Sequence, residues 1–187
     1  LTSTKKSSGA SAQGPTDGRC GGERQIILGI DPGSIITGYG AVCRGDGEVS
    51  ALKWGVIRAG KSDPLPKRLL TIHGHILDLI DTLKPGCVAV ECAFFGKNVR
   101  SLIAMGQSVG VALLAAAEKG VEVYQYTPRE VKKSVTGNGG ASKEQIRRMV
   151  HSILRMGSST GPFDATDALA VALCHENRMR DLPVKSG

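Results

Sequence analysis

The first sustained apolar run, residues 25–30 (QIILGI), stops at Asp31-Pro32-Gly33, and a short unbroken hydrophobic stretch closed by a turn signal predicts a buried central strand. Gly38 to Val42 and Ser50 to Ile57 read as two more strands. Between them stands Arg44-Gly45-Asp46-Gly47, whose Asp-Gly pair predicts a turn between antiparallel neighbours, so the three strands form a meander. The period then changes: Leu69, Ile72, Ile76, Leu79, Ile80 and Leu83 recur at helical spacing until Pro85-Gly86 ends the helix. Cys87 to Glu91 (CVAVE) is a further buried strand.

A long helix follows from about Val99 to Lys119, with Leu102, Met105, Val109, Leu113 and Ala116 on one face and Gly120 as its stop. Val121 to Tyr126 makes a fifth strand. Thr127, Pro128 and Glu130 occupy the N-cap, first and third positions of a capping-box helix start. Gly137-Asn138-Gly139-Gly140 is a loop, Ser142 caps a helix running to about Arg155, and a last helix covers about Phe163 to Met179. Three strands, then helix, strand, helix, strand and three helices predict an α/β domain: an open five-stranded mixed sheet with helices on both faces.

Residues 1–25 are rich in Ser, Thr and Gly and too poor in apolar residues to offset the entropy of ordering, so they are expected to be a flexible tail. The folded domain is expected over 26–180, with a short C-terminal tail at 181–187. The tail is poor in acids, as processed targeting peptides are, but it lacks their Arg-rich amphipathic pattern. Of the 187 residues 41% are hydrophobic and 22% charged, the composition of a globular chain with a real core, which excludes disorder throughout. The longest uncharged stretch, Ser101 to Ala117, is too short and too polar to span a bilayer, so no membrane partner is expected. Five cysteines, an odd number without a CxxC pair or a zinc-like His spacing, fit buried thiols in a reducing cytoplasmic compartment.

Four acids fall at positions that suggest chemistry. Asp31 and Glu91 each terminate an apolar strand, and in open α/β sheets ligands bind beyond the carboxyl ends of the strands. Asp164 and Asp167 open the last helix at i, i+3 spacing, which puts both on one face with Cβ atoms about 5–6 Å apart. Taken singly, Asp31 has an ordinary explanation as a turn residue and the helix pair as acids favoured by the helix dipole, whereas Glu91, a charge ending an apolar strand, needs a partner or water. Their coincidence is what favours a metal site. Oxygen-only ligands favour Mg²⁺ or Mn²⁺ over zinc, and two such ions about 3.5–4 Å apart suit in-line displacement at phosphorus.

The net charge of +7 is unevenly spread. Arg129, Lys132, Lys133, Lys143, Arg147 and Arg148 face only Glu130 and Glu144 over that segment, leaving four of the seven net charges on about one fifth of the domain. Such a concentration is a phosphate-contacting footprint, and Lys132 and Lys143 flank its Gly-rich loop. Past Glu91, the adjacent Phe94 and Phe95 supply one ring for the core and one to stack on or wedge between unpaired bases. His73, His75 and His151 are expected in structural roles, while His175, eight residues beyond Asp167, is a histidine of the last helix with a way to face the acid cluster.

The segments ILGIDPGSIITGYGAV, VAVECAFFGKN, YTPREVKKSVTGNGGASKEQIRRMV and DATDALAVALCH resemble, in order and spacing, the successive motifs of RuvC-type Holliday junction resolvases over roughly residues 26–178. The resemblance implies a ribonuclease H-like fold, a homodimer, and paired, symmetric, Mg²⁺-dependent nicking of four-way DNA junctions in recombination and repair. On matching positions it implies that Asp31, Glu91, Asp164 and Asp167 are catalytic and hold two Mg²⁺ ions per active site, with Mn²⁺ able to substitute. Asp164 occupies the least strict of the four positions. Lys132 and Lys143 match basic residues near the scissile phosphates, and Phe94 an aromatic at the junction crossover. RuvA and RuvB branch-migration proteins are the partners it implies. The helix carrying Ala104, Gly106, Ser108, Gly110 and Ala112 is either a dimer surface or packed on the sheet. Two alternatives remain at this level. One is a non-catalytic DNA- or RNA-binding relative of the same fold. The other is an actin-like nucleotide-binding domain, whose phosphate hairpin GIDPGSIITGYG also resembles, although only half of the usual two-domain cleft would be present.

Overall fold

The structure, a computed structural model, describes residues 25–45, 47–92, 99–157 and 161–181. Strands β1 (Gln25–Asp31), β2 (Ile36–Gly45) and β3 (Glu48–Arg58) are followed by α1 (Leu65–Leu83), β4 (Cys87–Glu91), α2 (Val99–Glu118), β5 (Glu122–Tyr126), α3 (Pro128–Thr136), α4 (Lys143–Ile153) and α5 (Phe163–Asp181). Gln25 already belongs to β1 and Asp181 ends α5, while the remainder of the two expected tails lies outside the described residues. The sheet order is β3-β2-β1-β4-β5. The meander is antiparallel, as its Asp-Gly turn predicts, and β4 and β5 add parallel to β1. This is the five-stranded mixed sheet of a ribonuclease H-like domain.

Each face of the sheet carries its own core. Ile27, Val42, Trp54 and Ala89 pack with Val131 and Val135 of α3, Ile146 and Val150 of α4, and Leu169 and Leu173 of α5. Leu28, Ile30, Val88 and Val90 pack with Ile72 and Ile76 of α1 and Val109, Ala112 and Ala115 of α2. Strand side chains alternate between faces, so Ile27 and Ala89 fix the side toward which Asp31 and Glu91 point: that of α5. A register shift between Ala41 and Val42 skips Leu52 of β3, so Ala51 and Trp54 reach the same face despite their odd spacing.

Helix α5 lies unusually close to the strands because three glycines make room. A Cβ on Gly29 would overlap the Ala168 carbonyl, one on Gly38 the Asp164 carbonyl, and one on Gly40 the backbone and side chain of Leu169. Glycine inside a strand weakens it but permits such an approach.

Helix α2 departs from the expected face. Val109 and Ala116 are buried, but Leu102, Met105 and Leu113 are only half-buried, and the seam against α1 and the sheet runs through Ser108, Val109, Ala112, Ala115 and Ala116. Small residues sit where the helix comes closest to its neighbours, and the larger ones flank them. The small-residue stripe is thereby divided: Ser108 and Ala112 face inward, whereas Gly106 and Gly110 are exposed.

Candidate active site

Asp31 and Glu91 lie at the carboxyl ends of neighbouring parallel strands, one step beyond the paired residues Ile30 and Val90. Asp167 comes to the same place from the first turns of α5, held down by the glycine contacts. Two helices complete the enclosure. The capping boxes of Thr127 with Glu130 and of Ser142 with Gln145 fix the starts of α3 and α4. Lys143, the first residue of α4, and Lys132 on α3 then face the acids. Asp31, Glu91, Asp167, Lys132 and Lys143 line a cavity of about 220 Å³ floored by Val131, Ile146 and Ala170.

The electrostatics of this cavity are those of acids with too little compensation. Burial, then repulsion from Glu91, Asp167 and Asp164, pushes the Asp31 carboxyl up to about 8, against the pull of Lys143. Burial and the Asp167 charge push Glu91 up to about 7, with Lys143 and Lys132 opposing. Asp167 is raised by burial as well, although Lys143 restrains it through charge and a hydrogen bond. That bond, from Lys143 Nζ to Asp167 Oδ2, measures 3.2 Å, and the Asp167 charge, helped by the bond, raises the ammonium above its ordinary value. Two lysines, one of them in direct contact, do not offset three acids gathered in a buried cavity. Hard, oxygen-only donors short of positive charge suit a divalent cation such as Mg²⁺.

Five of the seven expected site residues therefore meet in one cavity. Asp164 does not line it, but stands within electrostatic reach of Asp31 and Asp167. Phe94 lies outside the described residues. Among the described residues no three His, Cys, Asp or Glu side chains converge as a ready-made metal cage. An open arrangement is what Mg²⁺ uses where one or two carboxylates, waters and substrate phosphates share the coordination. His175 does not look into the cavity: it is buried between Tyr124 and Tyr126, its Nδ1 2.6 Å from the Tyr126 hydroxyl. His73 faces Glu118 and the His75 ring meets the Thr71 carbonyl, both structural arrangements. The sequence reading overlooked the three glycines under α5 and the Tyr126–His175 pair. Glycines inside otherwise apolar strands were the available signal for the first; the second had none.

Comparison with known proteins agrees with this fold. A protein of Moorella thermoacetica described as crossover junction endodeoxyribonuclease RuvC is 48% identical over 150 residues, covering 80% of this chain and 90% of its own length. Its counterpart from Chlorobium phaeovibrioides is 49% identical over 151 residues, 80% of this chain and 79% of that protein. A Thermus thermophilus RuvC solved in complex with Holliday junction substrate superposes with a TM-score of 0.78 at 35% identity, over 83% of this chain and 95% of that one. The family model for crossover junction endodeoxyribonuclease RuvC matches residues 27–175, nearly the whole span from the first strand to the last helix, and the chain belongs to that family.

Proposed function

We propose that the protein is a structure-selective endonuclease that resolves four-way DNA junctions by paired, symmetric nicks in recombination and repair. The observation that carries this is the gathering of Asp31, Glu91 and Asp167, from two strands and a helix, on one cavity edged by Lys132 and Lys143. Membership of the crossover junction endodeoxyribonuclease family supplies the reaction class. The acids speak against the non-catalytic alternative, since a protein that only binds DNA gains nothing from buried carboxylates that repel the backbone.

Asp31, Glu91 and Asp167, with Asp164 beside them, would hold Mg²⁺, two ions per site, with Mn²⁺ able to substitute. Bound there, the metal supplies Lewis acidity that activates a water and stabilises the departing oxygen at phosphorus. The chain's own groups do the rest. Asp31 and Glu91 must shed their protons to serve, which a divalent charge drives. Lys143 and Lys132 stand where a scissile phosphate enters and draw it toward the acids. The buried floor of Val131, Ile146 and Ala170 limits water and strengthens every charge interaction above it.

Phe94, on the segment after β4, meets the unpaired crossover bases. A homodimer places two such cavities about a two-fold axis, matching the symmetry of a four-way junction. RuvA and RuvB branch-migration proteins deliver that junction. Among the described residues no helix is long and apolar enough to cross a membrane. The buried free thiols of Cys87, Cys92 and Cys174 fit a cytoplasmic location.

The test is a synthetic four-way junction, labelled on opposing strands, incubated with the protein with and without Mg²⁺. Symmetric nicks that require the metal support the reading. An intact junction, or nicks unaffected by chelation, would overturn it.

A further inference from the structure

Three consecutive polar residues near the middle of α5 each reach a different element. His175 meets the Tyr126 hydroxyl at the end of β5, at 2.6 Å. Glu176 pairs with Arg44 of β2. The Asn177 side-chain amide donates to Ser134 of α3, at 3.1 Å from its Oγ and 3.3 Å from its carbonyl oxygen. His175, Glu176 and Tyr126 are each 3% exposed, so these polar groups sit in the core, where they cost stability unless they hold something in place.

Of the three links, the one to Tyr126 leads back to the cavity. Tyr126 is the register partner of Glu91, and its carbonyl accepts the amide of Cys92 at 2.8 Å, so the end of β4 that carries Glu91 is fastened to Tyr126 by backbone. His175 stands eight residues from Asp167 on the same helix, about 12 Å along a rigid rod. Glu91, Tyr126, His175 and Asp167 are thus linked in series by strand pairing, side-chain bond and helix. The glycine contacts under α5 fix Asp167 relative to Asp31, since they lie on β1 and β2. Glu91 on β4 is tied to β1 by strand pairing, and the bond at β5 adds a second restraint on it from the far side of β4.

We infer that the Tyr126–His175 hydrogen bond is a positioning device that sets Asp167 against Glu91 for metal binding, with both residues acting through the helix and the strand rather than on substrate. This rests on the junction-nuclease reading for its consequence in catalysis, but not for its effect on the metal. Tyr126 is packed in the larger core cluster, so Tyr126→Phe keeps the ring and deletes only the hydroxyl. His175→Asn retains an amide that can donate or accept in place of Nδ1, whereas His175→Leu retains no polar group.

The experiment measures Mn²⁺ affinity of the full chain without DNA by electron paramagnetic resonance, junction affinity in chelator, nicking against Mg²⁺ concentration, and melting temperature. Tyr126→Phe should weaken Mn²⁺ binding by roughly tenfold, the low end for loss of an outer partner of a metal site, and raise the Mg²⁺ needed for nicking in parallel. Junction affinity in chelator should stay at the wild-type value, and melting within a few degrees of it. His175→Leu should match Tyr126→Phe, their double variant should add nothing, and His175→Asn should recover most of the loss. Mn²⁺ affinity unchanged in Tyr126→Phe, or a loss in His175→Asn equal to that in His175→Leu, would overturn the inference. A wild-type chain that takes up Mn²⁺ but leaves the junction intact would overturn the nuclease reading alone.

Discussion

The Lys143 ammonium stands 3.2 Å from Asp167 Oδ2, so the first residue of α4 already supplies a positive charge to a carboxylate assigned to the metal. The lysine is two-thirds exposed and Asp167 largely covered, which leaves the lysine free to swing toward a phosphate while the acid stays in place. Under the proposed function, lysine and metal therefore compete for the same oxygen. Lys143→Met should tighten Mn²⁺ binding in the absence of DNA, yet slow nicking by about 100-fold because a charge aimed at the transition state is lost. Calorimetry and a junction-nicking assay on one preparation would show the two effects in opposite directions.

Asp167→Asn separates binding from chemistry. The amide keeps the shape but withdraws a negative charge from the path of the DNA backbone, so junction affinity should hold or rise while nicking falls by about 1,000-fold. A gel-shift titration beside the nicking assay decides it; nicking at the wild-type rate would remove Asp167 from the site.

Asp31 and Glu91 were legible in the sequence because a carboxylate closing a fully apolar strand is conspicuous, and the helical pattern of Asp164 and Asp167 is carried by four residues of local sequence. What local sequence does not hold is adjacency. That β4 lies parallel beside β1, so that Asp31 and Glu91 meet, depends on contacts between residues some sixty positions apart. The buried face of α2 departs from its hydrophobic pattern for a related reason: periodicity marks the large residues, but the closest packing selects Ala112 and Ala115. Tyr126 and His175, 49 positions apart, leave no periodic trace of their bond. Lys143 was recognised from its place beside a Gly-rich loop, and the structure adds the partner it holds.

The raised carboxyls make the metal-free protein sensitive to pH in a definite direction. Unfolded, Asp and Glu titrate near about 3.9 and 4.3. Folded, burial and neighbouring acids push Asp31 up to about 8 and Glu91 up to about 7, so between these limits the native state binds more protons than the unfolded one. Stability from these two groups is complete below the unfolded values and is lost as pH rises through 7 and 8. Melting temperature without metal should fall from about pH 5.5 to pH 8, and Mg²⁺ should restore it far more at the upper pH than at the lower. Thermal melts at both pH values with and without Mg²⁺ would check this; equal Mg²⁺ effects would mean the acids are not its ligands.

Gly38 tests how closely α5 must approach. An added methyl would overlap the Asp164 carbonyl and crowd the Ala165 amide, both backbone atoms that cannot turn aside. Gly38→Ala should therefore lift the first turn of α5 and destabilise the fold by about 1–3 kcal/mol. Nicking should fall by more than the unfolded fraction accounts for, because Asp164 and Asp167 move with that turn. Denaturant melts paired with nicking rates per folded molecule distinguish this from simple loss of protein.

Lys132 offers a different readout, since it lines the cavity without an ion pair of its own among those described. Its positive charge lowers the cost of ionising Glu91 and Asp167 and is available to an incoming phosphate. Lys132→Ala should slow nicking and reduce the slope of log junction affinity against log salt by about one, the value for one lost phosphate contact. The variant should weaken junctions of every sequence alike, because a lysine on a phosphate reads charge and not bases. Binding titrations across a salt series on two junctions of unrelated sequence measure both; an unchanged slope would place Lys132 away from the backbone and leave it only the role of screening the acids.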